Sequence, residues 1–170
     1  ALGKSFFLAD ANGFPELSPY VSHLATPTKV KALYMTSWAA GTESFRIHLL
    51  NILDKTEANA IVIDIKDYTG KISFKVNNPE LAAFGADEAR IADVEEFIQE
   101  LHQRNVYVIG RVAVFQDPYF VSKKPEFAVR RKSDGEIWRD FKGISWLDAG
   151  AEEVWKYSVD IAREAYSRGF

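Results

Sequence analysis

The sequence has 170 residues, is 47% hydrophobic and 26% charged, and carries a net charge of -3 at pH 7, a composition typical of a globular domain with one sizeable core. The scattered lysines and arginines disfavour nucleic acid as a partner, and the absence of cysteine excludes disulfides, thiolate metal sites and a cysteine nucleophile. No apolar run approaches the ~20 residues of a membrane span, and the first residue is Ala1, so we expect that a signal peptide was removed or that the chain was trimmed.

The first 29 residues lack the periodicity of a helix or a strand. They contain three of the six prolines and predict an irregular N-terminal arm. Residues 30–38 are apolar and β-prone, and they predict a first strand that ends at Trp38. Residues 43–55 predict the first helix, with the buried stripe Phe45, Leu49, Ile52 and Leu53.

The most regular apolar run covers residues 60–67 and predicts a buried parallel strand. Alternation places Ile61, Ile63 and Ile65 on one face and Asp64 and Lys66 on the other. In a barrel, the isoleucine face would pack under the outer helices. The face with Asp64 and Lys66 would then look into the barrel at its upper rim.

Three segments follow this strand. Residues 67–76 predict a small hairpin that turns at Thr69 and Gly70, and residues 77–90 predict a loop with short turns. Residues 91–104 predict the second helix, with the buried stripe Ile91, Val94, Ile98 and Leu101, and Asn105 as its left-handed C-terminal residue.

The third predicted strand, residues 106–115, carries an arginine in an apolar context. Arg111 lies on the face opposite the branched valines, which is the face predicted for Asp64 on the neighbouring strand. A buried charge without a partner is costly. We therefore expect Arg111 and Asp64 to form an ion pair.

The remaining chain contains a long insertion and a third helix. Residues 116–148 predict a β-hairpin lid that turns at Asp134 and Gly135, and residues 151–168 predict the helix. The chain ends at Phe170, where a fourth strand would begin, whereas a (β/α)8 barrel needs eight βα units. The predicted fold class is thus α/β, and the predicted architecture is a (β/α)8 TIM-like barrel of which only the first three βα units are present. Residues 30–170 would be the N-terminal portion of a barrel that continues beyond residue 170.

Several motifs occur in the order and spacing of a known family. The chain resembles, from about Lys29 to its end, the glycoside hydrolase family once catalogued as domain of unknown function 4015. The matching stretches are Tyr34-Met-Thr-Ser-Trp38, Val62-Ile-Asp-Ile-Lys-Asp-Tyr-Thr-Gly70, Gly110-Arg-Val-Ala-Val-Phe-Gln-Asp-Pro118, Trp138-Arg-Asp140, Trp146-Leu-Asp-Ala149, and Glu153-Val-Trp-Lys-Tyr157 through Ile161-Ala-Arg-Glu-Ala165.

This resemblance implies a TIM barrel related to retaining glycosidases such as the α-amylases, glycoside hydrolysis as the reaction class, and a bacterial, often exported protein; a cytoplasmic location is the alternative. The resemblance specifies no substrate, and we expect a poly- or oligosaccharide. The family's next segment begins with the Gly-Phe seen at Gly169-Phe170 and carries an Asp-Tyr-x-Arg-Phe-Pro signature, which this sequence does not contain. If that aspartate is a catalytic carboxylate, this chain has half of a two-carboxylate mechanism and is inactive alone.

Glycoside hydrolysis uses two carboxyl groups, one as an acid and one as an anion. The candidates are Asp64 and Asp67 as catalytic residues and, as substrate-binding residues, Trp38, Lys66, Arg111, Asp117, Trp146 and Asp148. Tryptophans at a rim can stack on the apolar faces of sugar rings. Structural roles are the competing interpretation: Asp64 and Arg111 as a buried brace, Asp67 and Asp117 as loop caps, and Asp148 as a helix cap or near it.

No cofactor or metal is expected. His23, His48 and His102 lack a metal-ligand spacing, and no glycine-rich phosphate loop follows any strand. Two hypotheses remain: a carbohydrate-active enzyme, or a non-catalytic carbohydrate-binding or structural module. Under both hypotheses, we expect the inward faces of the three predicted strands to be covered by the remainder of the barrel or by another copy of the chain.

Overall fold

Three parallel strands form one sheet in the computed structural model, which describes residues 22–170; the prediction for residues 1–21 of the arm lies outside these residues. The strands are β1 (Ala32–Met35), β2 (Ala60–Lys66) and β3 (Tyr107–Val112), in the order β1-β2-β3. Met35 lies opposite Ile63, and Ile63 lies opposite Gly110. The predictions of an α/β fold and of three parallel strands in chain order are confirmed.

Helices connect and cover these strands. They are α1 (Ser37–Ala40), α2 (Glu43–Lys55), α3 (Pro79–Phe84), α4 (Val94–Gln103), α5 (Pro118–Lys123) and α6 (Glu152–Tyr166), with a 3-10 helix at Pro125–Phe127. The predicted helices correspond to α2, α4 and α6. The predicted turn at Asn105 is also confirmed, because this residue is left-handed with φ of 58°.

The core lies on the helix side of the sheet. Ile61, Ile63 and Ile65 of β2 are at most 3% exposed. They belong to one hydrophobic cluster with Phe97 and Leu101 of α4, as the period of each element requires. The predicted division of β2 into an apolar side that faces the helices and a more polar side is correct from Ala60 to Asp64.

The first strand is shorter than predicted and ends before Trp38. Thr36 caps α1, since its hydroxyl oxygen accepts a hydrogen bond from the Ala39 amide at 3.2 Å. Trp38 therefore belongs to α1 and not to a strand tip. In α2 the predicted stripe is partly wrong, because Phe45 is 59% exposed and the helix buries Leu50 and Leu53.

Residues 77–90, predicted as a loop, contain α3. The Asn78 side chain accepts hydrogen bonds from the amides of Glu80 and Leu81, and Pro79 supplies the preset backbone of a first helical turn. Gly85, with φ of 74°, ends the helix in the left-handed conformation. These capping residues are visible in the sequence, but six residues are too few for a helical stripe to be recognised.

The predicted lid at residues 116–148 begins with helices and contains only isolated antiparallel bridges. Arg130 pairs with Ile137 around a turn at Gly135, whose φ is 75°, so the predicted turn is present without regular strands. Bridges from Gln116 to Trp146 and from Ala128 to Leu147 close the insertion on itself. Its two ends thus return to the end of β3.

Candidate functional site

Two side chains from the adjacent strands, Tyr34 and Arg111, contact Asp64. The Asp64 carboxylate is 4% exposed and lies opposite Arg111 in the register of β2 and β3. Arg111 donates from Nη1 to Oδ1 of Asp64 at 2.7 Å, and the Tyr34 hydroxyl donates to Oδ2 at 2.5 Å. The prediction that Asp64 and Arg111 share a face and form an ion pair is confirmed, although the Arg111 side chain is 53% exposed and not buried.

Tyr34 is a member of this site that we did not predict. An aromatic residue on a strand is usually explained by packing, so its residue type alone did not indicate a role in the site. Its hydrogen bond to Asp64, followed by partial burial, raises the pKa of the Tyr34 phenol above its ordinary value. The phenol therefore stays protonated near neutral pH and continues to donate to the carboxylate.

Asp67 lies at the end of β2 and has partners at both carboxylate oxygens. Oδ1 accepts from the Thr69 amide at 3.0 Å and also from the Thr69 hydroxyl. Oδ2 accepts from Nη1 of Arg90 at 2.6 Å. Asp67 is thus a turn-capping residue, as one alternative held, and also the anionic partner of an arginine that the sequence analysis did not select.

Trp38 lies above that arginine. The Arg90 guanidinium carbon is 4.6 Å from the centroid of the indole ring, while Trp38 is 64% exposed. Tyr68, in the turn after Asp67, is 58% exposed. Two exposed aromatic side chains that a ligand can contact therefore occur in the segments near the end of β2.

Lys66 and Asp117 form a second ion pair with a different environment. The Lys66 ammonium is 2.6 Å from Oδ2 of Asp117, and neither side chain is exposed. Burial lowers the pKa of Lys66 and raises that of Asp117. Asp117 also caps α5 by accepting from the Phe120 amide at 2.7 Å.

The position of Lys66 corrects the prediction that it accompanies Asp64. The pairing of β2 with β3 shifts between Asp64 and Lys66, so strict alternation ends there. The Lys66 ammonium lies 5.6 Å from the ring of Tyr157 on α6, on the helix side. Direct contact of Lys66 or Asp117 with a substrate would require this enclosed pair to open.

Trp146 and Asp148 lie in the returning part of the insertion. The Trp146 indole donates to Oδ2 of Asp140 at 3.2 Å and contacts Trp138 edge-on, with 6.4 Å between the ring centroids. Asp148 is exposed and accepts from the Gly150 amide at 2.8 Å, one turn ahead of α6. Trp146 thus belongs to a tryptophan pair beside β3, and Asp148 lies near the cap of α6 as the structural alternative proposed.

Two further properties concern the described residues only. Between residues 22 and 170, no group of three or more histidine, aspartate and glutamate side chains is arranged to hold a metal ion. Over the same range, no helix has the length and apolar character needed to cross a membrane.

Comparison with known proteins gives a family and several similar structures. The model of a family described as "Putative glycosyl hydrolase domain" matches residues 32–170. A hypothetical protein from Ruminiclostridium thermocellum ATCC 27405 is 38% identical with a TM-score of 0.76, over 81% of this chain and 72% of that chain. No curated protein matches.

The second structure is the noncanonic maltogenic alpha-amylase AmyB from Thermotoga neapolitana. It is 16% identical with a TM-score of 0.51, over 79% of this chain but only 35% of the amylase chain. At this identity the likeness concerns the fold alone, and this chain corresponds to a part of the amylase.

Proposed function

Because the chain belongs to this glycosyl hydrolase domain family, we propose that it supplies the first part of the substrate-binding rim of a glycoside hydrolase that acts on a poly- or oligosaccharide. The observation that carries the proposal is the Asp64 carboxylate, which Tyr34 and Arg111 hold from the two neighbouring strands. A carboxylate fixed at both oxygens is suited to act as an oriented anion at a sugar ring.

Asp64 is the proposed catalytic anion. Both of its oxygens accept hydrogen bonds, so it offers no O–H that could protonate a leaving group. Asp67 is the second proposed rim carboxylate, and its contacts with Thr69 and Arg90 also occupy both oxygens. The acid in this mechanism is therefore proposed to come from a further strand next to β3, where the family resemblance implies an aspartate.

The (β/α)8 barrel is part of the same proposal. Within residues 22–170, β3 pairs with β2 only, so its other edge is available for a strand. The outer side of α6 exposes Trp155, Val159 and Tyr166, which are spaced along one helical face. In a barrel this face would pack against the next helix.

The substrate-binding residues are proposed from exposure and position. Trp38 and the Trp146 pair offer ring faces for sugars, and the half-exposed guanidinium of Arg111 can bind hydroxyl groups beside Asp64. Many polysaccharides are found outside cells, so we propose an exported protein. The competing function is non-catalytic carbohydrate binding, which the exposed Trp38 ring favours because stacking requires no acid.

Native gel electrophoresis in the presence of soluble polysaccharides tests the proposal. The gels would contain starch, xyloglucan, glucomannan or arabinoxylan, and we expect at least one of them to retard the chain. Asp64→Asn should reduce this retardation, whereas Asp54→Asn, which alters an exposed aspartate that faces Arg104, should not. A chain that migrates alike in every gel would contradict carbohydrate binding altogether.

Release of reducing ends from the retarding polysaccharide separates the two functions. We expect no turnover by this chain alone, because Asp64 and Asp67 both accept hydrogen bonds at their two oxygens and neither can give a proton to the leaving group in these contacts. Turnover that disappears in Asp64→Asn would place both catalytic groups within these residues and would contradict the proposal of an acid on a further strand.

A further inference from the structure

Arg90 joins the segments that border the end of β2. Its side chain is 5% exposed. Its Nη1 donates to Oδ2 of Asp67 at 2.6 Å and to the Ser37 hydroxyl at 3.3 Å. Its Nη2 donates to the Thr69 hydroxyl at 3.2 Å, and its Nε donates to Glu88 at 2.8 Å. The planar fork of a guanidinium allows this set of contacts, which a lysine ammonium cannot reproduce.

Trp38 lies directly above this arginine. It belongs to α1, a helix of four residues, which is too short to be stable without tertiary contacts. One face of its ring lies on the Arg90 guanidinium at 4.6 Å, and the residue is 64% exposed. A large apolar ring is thus kept at the surface by a cation beneath it.

The backbone of the two segments is also in close contact. A methyl group on Gly41, at the end of α1, would lie 1.9 Å from the carbonyl oxygen of Arg90. The turn between α1 and α2 therefore packs directly on the chain at Arg90. This contact and the guanidinium together fix Trp38 relative to Asp67.

We propose that Arg90 is the positioning residue that orients Trp38 as a stacking surface for a sugar ring next to Asp67. This inference rests on the proposed carbohydrate function. A sugar has apolar C–H faces and hydroxyl edges, so a fixed indole beside a row of polar side chains matches both surfaces. Arg90 acts through Trp38 and Asp67 and need not touch the sugar itself.

Three variants test this role. Arg90→Met removes the cation and keeps much of the side-chain volume, and Arg90→Lys keeps the charge without the planar fork. Arg168→Met is the matched control, because Arg168 is also buried, lies over an aromatic ring, 4.9 Å from the Phe74 centroid, and binds a carboxylate, Glu164, at 2.9 Å. Circular dichroism would establish that each variant is folded; if Arg90→Met is not, Arg90→Lys carries the test.

The first measurement needs no carbohydrate. The fluorescence of Trp38 is obtained by subtracting, from the tryptophan emission of each protein, the emission of the same protein that also carries Trp38→Phe. We expect both Arg90 variants to shift the Trp38 emission and to lower its anisotropy, because the ring loses its fixed support, while Arg168→Met leaves both unchanged. Unchanged Trp38 emission and anisotropy in a folded Arg90 variant would overturn the proposal.

The second measurement uses the polysaccharide that retards the wild-type chain. We expect Arg90→Met to weaken retardation about tenfold, as Trp38→Ala does, and the double variant to show no additional loss. Full binding by folded Arg90→Met would refute the positioning role. If no polysaccharide retards the wild-type chain, the carbohydrate function fails, and the fluorescence result still decides whether Arg90 positions Trp38.

Discussion

The Lys66 ammonium and the Asp117 carboxylate lie 2.6 Å apart with both side chains fully enclosed. Removing one partner of such a pair leaves a buried charge uncompensated, which costs about 3–5 kcal/mol. We therefore expect Lys66→Met to lower the free energy of unfolding by an amount in that range, measured by urea denaturation.

The double variant Lys66→Met with Asp117→Leu provides the matched comparison. It removes both charges, so we expect most of the lost stability to return, less about 1 kcal/mol for the missing cap of α5. If the double variant is no more stable than Lys66→Met, the loss would come from packing and not from the stranded charge.

The turn after β2 predicts a contrast between two glycines. Gly70 has φ of +81°, and a methyl group there would lie 2.0 Å from Oδ1 of Asp117, whereas Gly135 has φ of +75° with nothing within 4 Å. An alanine at positive φ costs about 1–2 kcal/mol, and a steric overlap adds about 1–3 kcal/mol. Urea unfolding should therefore show a loss for Gly70→Ala clearly larger than that for Gly135→Ala. Equal losses would mean that the turn can move away from Asp117.

The hydrogen bond between Tyr34 and Asp64 predicts a pH effect. It raises the pKa of Tyr34 above the ordinary 10.0, so its stabilisation is complete below the unfolded pKa and is lost as pH rises through the folded pKa. Asp64→Asn should lower the pKa of Tyr34 towards 10.0, because a neutral amide is a weaker acceptor. Ultraviolet titration of tyrosinate measures this, with Tyr34→Phe identifying the step. A titration identical to that of the wild-type chain would exclude this hydrogen bond in solution.

The pair of Asp64 and Arg111 could be predicted from the sequence because both are charged residues that alternation places on the face opposite the branched apolar side chains. Strands that bury one face against helices have a strong period of two, and adjacent parallel strands bring equivalent faces together. The same reasoning failed at Lys66, only two residues later. The shift in register at this point depends on contacts with the neighbouring strand β3. The alternation within β2 alone gives no information about those contacts.

Arg90 could not be found in this way. It lies in a segment without periodicity, and its partners Asp67 and Ser37 are 23 and 53 residues away in the chain. An arginine near a helix start is usually exposed, so residue type gives no indication of burial. Only the tertiary arrangement brings Ser37, Asp67 and Arg90 together.

The exposed side of α6 leads to the last prediction. Trp155, Val159 and Tyr166 are 52%, 47% and 44% exposed and lie on the side of the helix away from buried Val154 and Ile161. Apolar stripes on monomers are usually covered by a partner. We expect the isolated chain to associate with increasing concentration and to bind an apolar dye, with Trp155→Gln and Val159→Gln together reducing both effects.

Light scattering after size-exclusion chromatography measures the association. Phe141→Gln is the control, because Phe141 is 94% exposed but belongs to the insertion and not to α6, and its replacement should leave the mass unchanged. If the association requires Trp155 and Val159 but not Phe141, it occurs through the exposed face of α6, against which the next helix of a barrel would pack. A monomer that melts cooperatively and binds no dye would instead mean that the described units form a closed core, and the proposal of an eight-fold barrel would fail.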